Sequence, residues 1–184
     1  MSIQVVLLRG INVGGHNLIA MPALRELLSE MGFADVQTLL QSGNVVFRSK
    51  KLSGAGLERR LESESTERLG VTIDYMVRSA AEWAQVVARN PFEREAEDDP
   101  GHLLVMCLKS VPPVKLEGEL REKIRGPESV HLDGRQLYIM YPAGVGRSKL
   151  TGALIERTLD TRGTARNWNT VLKLAALCNS GCRD

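Results

Sequence analysis

Apolar residues along this chain recur with two different periods, and their alternation outlines the fold. Residues 3–8 are a short apolar run that stops at Arg9-Gly10, the pattern of a buried strand. After a loop containing Gly10, Gly14 and Gly15, Met21, Leu24, Leu27, Leu28 and Met31 fall at helical spacing. Pro22 suits the first turn of that helix and Gly32 the position just beyond its end. Residues 36–40 and 44–48 flank Gln41-Ser42-Gly43 and predict a hairpin. The segment 57–69 is rich in Glu and Arg and apolar only at Leu57, Leu61 and Leu69. It predicts an exposed helix ended by Gly70, with the acidic residues from Glu58 to Glu67 on a solvated face, and residues 71–77 supply the next strand.

Residues 79–101 read as a connection: a short helix around Trp83, Val86 and Val87, then Asn90-Pro91-Phe92 and an acidic stretch over 93–99. Beyond it the same order of elements returns. A strand over 103–108 precedes a helix through Leu116, Leu120 and Ile124, and strands near Val130 and over 137–141 flank Asp133-Gly134. Ser148 is placed to cap a helix carrying Leu150, Leu154, Ile155 and Leu159, and an extended piece near Thr164 precedes a last helix through Val171, Leu174 and Leu177. The fold class is therefore α+β, with two consecutive ferredoxin-like β-α-β-β-α-β units. The first spans 1–90, a junction spans 91–101, the second spans 102–178, and 179–184 form a flexible tail. Element order alone carries the duplication. Right-handed crossovers would put both helices of a unit on one sheet face and leave the other for solvent, a partner or the other half.

Composition narrows the function classes. The 184 residues are 43% apolar and 25% charged, typical of a chain that buries a core. A net charge of +2, from 24 basic and 22 acidic side chains, lacks the basic footprint of a dedicated nucleic-acid binder. Cys107 lies in an apolar strand and reads as a buried thiol. Cys178 and Cys182 have no His or second Cys pair to complete a metal site, so no metal is expected. The opening MSIQVVLLRG has no basic leader, and no apolar stretch reaches the ~20 residues of a membrane span, which points to the cytoplasm.

Several loops carry a distinctive set of residues. Arg9-Gly-Ile-Asn-Val-Gly-Gly15, Met21, Leu24-Arg25, Gly32-Phe33, Thr38 and Gln41-Ser-Gly-Asn-Val-Val-Phe47 stand in the first half; Asn90-Pro-Phe92, Gly144, Gly146, Ser148-Lys149 and Thr164-Ala-Arg-Asn-Trp-Asn-Thr170 stand in the second. Together, from about residue 3 to about residue 177, they resemble the bacterial family known as domain of unknown function 1697. The resemblance implies an α+β fold with ferredoxin-like units and no established activity; it brings no catalytic residues, and the cofactor stays unknown.

Physically, the first loop offers backbone N–H groups that glycines leave open to an anion, and equally a tight connection in which Asn12 bonds the backbone. Gln41-Ser42-Gly43-Asn44 places a hydroxyl and two amides on a hairpin tip. In residues 144–149 a helix beginning at Ser148, beside Arg147 and Lys149, would favour an anion, although glycine and serine before a helix are also ordinary capping residues. Asn167 or Asn169 can cap the last helix, Arg166 suits an anion or a buried ion pair, and Trp168 a core position. No nucleophile and base pair stands out: His16, His102 and His131 lack a local partner at a recognisable spacing.

The leading expectation is a site for a small anionic or phosphorylated ligand, assembled from loops of both halves, with Arg9, Asn12, Ser42, Asn44, Ser148, Lys149, Arg166, Asn167 and Asn169 as candidate binding residues. Arg9, Asn12, Ser42 and Asn44 are expected to lie close together, because both loops belong to the first unit, although the simplest ferredoxin-like layout can set those loops at opposite ends of the sheet. The alternatives are a nucleic-acid-binding module and a protein interaction or assembly module. Two Trp, three Tyr and three Phe, with no aromatic-rich ribonucleoprotein motif, argue against bases stacking on the sheet.

Overall fold

The computed structural model of the chain describes residues 1–12, 18–50 and 52–180. It divides into two compact units, one formed by Met1–Val87 with the carboxyl-terminal stretch from Lys173, the other by Ala88–Leu172.

The first unit begins β1 (Ser2–Leu8), α1 (Met21–Glu30), β2 (Ala34–Leu39), β3 (Asn44–Ser49), α2 (Gly54–Leu69), β4 (Tyr75–Ser79). Its antiparallel sheet has the order β2-β3-β1-β4, so each helix crosses over one intervening strand, as in a ferredoxin-like unit. Pro22 sits in the first turn of α1, and Gly32 and Gly70 follow their helices with left-handed backbones. Alternation sends Val6, Leu8, Val45, Phe47, Tyr75 and Val77 to one face, where they pack with Leu24 and Leu28 of α1 and Leu57 and Leu61 of α2. Strand β4 starts later than the run of apolar residues from Val71 suggests. Its partner β1 ends at Leu8, which pairs with Tyr75, and beyond that pair Arg9 N donates to Asp74 O at 3.0 Å without extending the strand.

Helix α3 (Ala80–Ala88) follows β4 directly and is started by a reciprocal cap: Ser79 Oγ accepts from Glu82 N at 3.2 Å, and Glu82 Oε2 accepts from Ser79 N at 2.7 Å. The acidic stretch of the junction is itself helical, α4 (Glu93–Asp98).

The second unit repeats the order with β5 (Leu103–Leu108), α5 (Lys115–Lys123), β6 (Ser129–Asp133), β7 (Gln136–Met140), α6 (Gly152–Leu159) and β8 (Gly163–Asn167), in a sheet ordered β6-β7-β5-β8. Met106, Leu108, Val130, Leu137 and Ile139 form its core with Leu120 of α5 and with Ile155 and Leu159 of α6. Gly134 turns the β6–β7 hairpin with φ 58°. Helix α7 (Trp168–Ser180) closes the described chain. Asn179 and Ser180, expected in a flexible tail, still belong to it, while residues 181–184, with Cys182, lie outside the described residues. No helix among the described residues is long and apolar enough to cross a membrane.

Carboxylates take edge amides of β4, β6 and β8. The outward amides of β4, at Tyr75, Val77 and Ser79, donate to Glu62, Glu58 and Glu82 at 3.1, 2.9 and 2.7 Å. In the second sheet Leu132 N donates to Glu117 at 3.0 Å and Gly163 N to Glu156 at 2.9 Å. Glu58 is therefore only 2% exposed, which corrects the reading of the α2 acids as a wholly solvated face. A helix packed beside an edge strand lets its carboxylates take edge N–H groups that would otherwise pair with another chain.

Candidate functional site

In the first unit the antiparallel register sets Leu7 opposite Asn44, and Leu8 N donates to Gly43 O at 2.9 Å. The end of β1 and the β2–β3 hairpin therefore meet at one end of the sheet, and Arg9, Asn12, Ser42 and Asn44 gather there. Asn12, with φ 53°, binds both groups of Ile19: its Oδ1 accepts from Ile19 N at 3.0 Å and its Nδ2 donates to Ile19 O at 3.1 Å. The same Nδ2 donates to Gln41 O at 2.8 Å, tying the loop to the hairpin. Asn44 is fully buried and donates to Leu39 O at 2.9 Å and Ser42 Oγ at 3.0 Å. Arg9 Nη1 lies 3.8 Å from Asp74 Oδ2. These amides are committed to holding backbone, the role that turn chemistry gives asparagine. The expected glycine nest at Gly14 and Gly15, and His16, lie outside the described residues.

The carboxyl-terminal candidates depart further from expectation. No helix begins at Ser148. Residues Val145–Arg147 form a single 3-10 turn, Ser148 is extended, and α6 begins at Gly152 with Thr151 as its cap, whose hydroxyl accepts from Leu154 N at 3.2 Å. Ser148 Oγ instead donates to Glu128 and accepts from Leu150 N at 2.9 Å. The helix-terminus argument for an anion at Ser148 therefore does not hold. A carboxylate already occupies that hydroxyl. Lys149 is exposed. Arg166 donates within its own strand, to Thr164 Oγ1 and Ala165 O, both at 2.8 Å, and burial lowers its guanidinium pKa to about 10, leaving it cationic at neutral pH. Asn167 Oδ1 accepts from Thr170 N and Oγ1 at 3.0 Å and so starts α7, while Asn169 is exposed.

The structure brings together a different set. Pro91, Phe92, Arg121, Ile124, Glu128, Ser129, Val130 and His131 line a groove of about 510 Å³ along the outer edge of β6. Asn90, 7% exposed, fixes one wall: its Oδ1 accepts from Phe92 N at 3.1 Å and its Nδ2 donates to Phe92 O at 3.3 Å. Arg121 Nη2 donates to Glu117 Oε1 at 2.8 Å and Val130 O at 3.2 Å. Among the described residues no acceptor takes its Nη1 or Nε, or the Ser129 hydroxyl, and the His131 ring meets only Glu117 at 3.8 Å and the Tyr138 ring. Asn90-Pro91-Phe92 was the one sequence signal for this groove, read there as part of a connection. Arg121 and His131 carried none, because an arginine on a helix and a histidine on a strand meet only through the α5–β6 packing.

A second pairing was also invisible. His102 Nδ1 lies 2.6 Å from Asp99 Oδ2, and its Nε2 faces Gly144, 3.4 Å from where a side chain at 144 would begin. Gly144 has φ 81° and ψ 150°, a backbone region open essentially to glycine alone. Asp99 and His102 are three apart, but the turn that joins them is read only from the structure.

A family model described as "Protein of unknown function (DUF1697)" matches residues 1–138. Among solved structures, that of conserved bacterial protein SP0830 from Streptococcus pneumoniae is similar, with a TM-score of 0.77 and 20% sequence identity, covering 96% of this chain and 98% of that one. At that identity the likeness speaks for the fold. No curated protein shows significant similarity to the chain.

Proposed function

Starting from a chain that belongs to the DUF1697 family of proteins of unknown function, we propose that it binds a small anionic ligand, a carboxylate or phosphate, in the groove along β6. The observation that carries this reading is Arg121. Its guanidinium is oriented by Glu117 and Val130 through one nitrogen, and Arg121 lines the groove with its other donors taken by no acceptor among the described residues. A guanidinium fixed in this way retains donors in the fork geometry that matches an anion's oxygens. Ser129 adds a hydroxyl and His131 a ring nitrogen, whereas the one lining carboxylate, Glu128, already accepts from Ser148. Pro91, Phe92, Ile124 and Val130 supply apolar surface, and the volume falls in the ~300–1,000 Å³ range of small-molecule sites.

Nucleic-acid binding and strand-pairing assembly have less support. Amides on the β4 and β6 edges are taken by carboxylates, which repel a phosphate backbone and compete with an added strand there. The test is a thermal-shift screen with inorganic phosphate, sugar phosphates and small carboxylates, repeated on Arg121→Gln after its fold is checked by circular dichroism. At least one anion should raise the melting temperature of the native protein, and Arg121→Gln should abolish the shift. Absence of any shift, or equal shifts in both proteins, overturns the reading.

A further inference from the structure

We infer that the ligand carries two anionic groups on a hydroxyl-bearing linker, the second group binding at His102 and Lys149; this rests on the groove being the site of the first.

The sheet register supplies the geometry. Ser129 of β6, Met140 of β7 and Leu103 of β5 stand in one row, because Met140 pairs with both of the others. The residues just beyond that row, Glu128, Tyr141 and His102, therefore emerge side by side at the same end of the sheet, and Tyr141 N donates to His102 O at 3.0 Å. Two inter-strand spacings of about 4.8 Å put His102 about 10 Å from Glu128, at the groove.

His102 there faces Gly144, the start of a segment that carries further cations. With Nδ1 held by Asp99, the His102 ring presents Nε2 toward Gly144, where no side chain intervenes. Nε2 is the ring position left to meet a ligand. Arg147 and Lys149 are exposed on the segment that follows Gly144, and no acceptor among the described residues takes either side chain. Ser148, between those two cations, donates to Glu128, so the segment is tied to the groove wall rather than loose beside it. Glu128 stands on the groove wall that a linker has to pass. A linker passing Glu128 has to offer it hydrogen-bond donors, since an apolar linker would desolvate the charge without compensation and a third anion would be repelled. A sugar bisphosphate has this chemistry, and a monophosphate or a long apolar acid does not.

The experiment compares a hexose bisphosphate with the matching hexose monophosphate by titration calorimetry at mildly acidic pH, on the native protein and on His102→Gln/Lys149→Gln. The native protein should bind the bisphosphate about tenfold or more tightly than the monophosphate, a difference well resolved in Kd. The double variant should bind both with the native protein's monophosphate affinity. Equal native affinities overturn the two-anion inference and leave the groove reading standing, whereas binding of neither sinks both. Should the variant fold poorly, nitrogen chemical shifts of the His102 imidazole in the native protein decide: they must move with the bisphosphate and stay still with the monophosphate, and any other pattern overturns the inference.

Discussion

Arg78 and Arg166 hold the same place in the two sheets: each lies on the last strand of its unit, opposite Val5 and Val105 respectively, and each donates Nη1 to the carbonyl of the residue before it, at 2.9 Å to Val77 and 2.8 Å to Ala165. Those preceding residues pack on the helix side, so alternation puts both arginines on the opposite face of their sheets. Arg78 is only 2% exposed. A long side chain in such a place contributes by its bulk as well as its charge. Replacing either by Ala is expected to cost about 2–4 kcal/mol in urea denaturation, the scale of a large core truncation. Arg→Met at the same positions should cost about 1 kcal/mol or less, since a buried charge can give way to an apolar group of similar volume. Met variants as unstable as the Ala variants would show that the guanidinium itself holds the sheet.

Gly43 is required twice over, by its backbone and by its neighbours. Its φ is 73°, and a Cβ there would stand 2.7 Å from both Leu8 Cβ and Ile11 Cδ1. Gly10 has a similar φ of 66° but open space where its Cβ would lie. Gly10→Ala should therefore lose only the left-handed penalty of about 1 kcal/mol, and Gly43→Ala on the order of 3 kcal/mol, because a steric clash is added to that penalty. Denaturation midpoints of the two variants give the comparison directly; equal losses would mean that the loop moves aside to admit the methyl group.

All three tyrosines resist ionisation. Burial pushes the Tyr75 phenol up to about 12, against a lowering by its 2.6 Å hydrogen bond with Ser65, and pushes Tyr141 up to about 12 with help from Glu128. Burial, reinforced by Asp133, raises Tyr138 as well. Because the folded pKa lies above the unfolded value of 10, the folded state holds more protons in between. Stability is thus fully present below pH 10 and falls as pH rises toward 12. Tyrosinate absorbance should show no ionised tyrosine at pH 10 in the folded protein and substantial ionisation in denaturant. Titration of even one tyrosine near pH 10 without loss of structure would contradict the burial assigned to it.

Local chemistry determined much of this protein. The apolar run of residues 103–108 is strand β5 to the residue, Asp133-Gly134 turns its hairpin, and Gly32 and Gly70 follow their helices, because each of these features depends on neighbours a few residues away. Even the convergence of Arg9, Asn12, Ser42 and Asn44 was within reach, since an antiparallel β1–β3 pair must bring the end of one strand to the start of the other. The tertiary structure decided what those side chains do. Asn12 and Asn44 satisfy backbone groups that the loop and hairpin would otherwise leave unpaired, and Glu58 left the solvent to close a strand edge. Ser148 heads no helix: α6 is capped by Thr151, three residues on, while the Ser148 hydroxyl donates to Glu128, just ahead of a strand distant in sequence. Arg121 with His131, and Glu128 with Ser148, are brought together by packing α5 and residues 144–149 against one edge of a sheet. Spacing along the chain records only what lies within a turn or a hairpin, so pairs made by packing leave no trace in it.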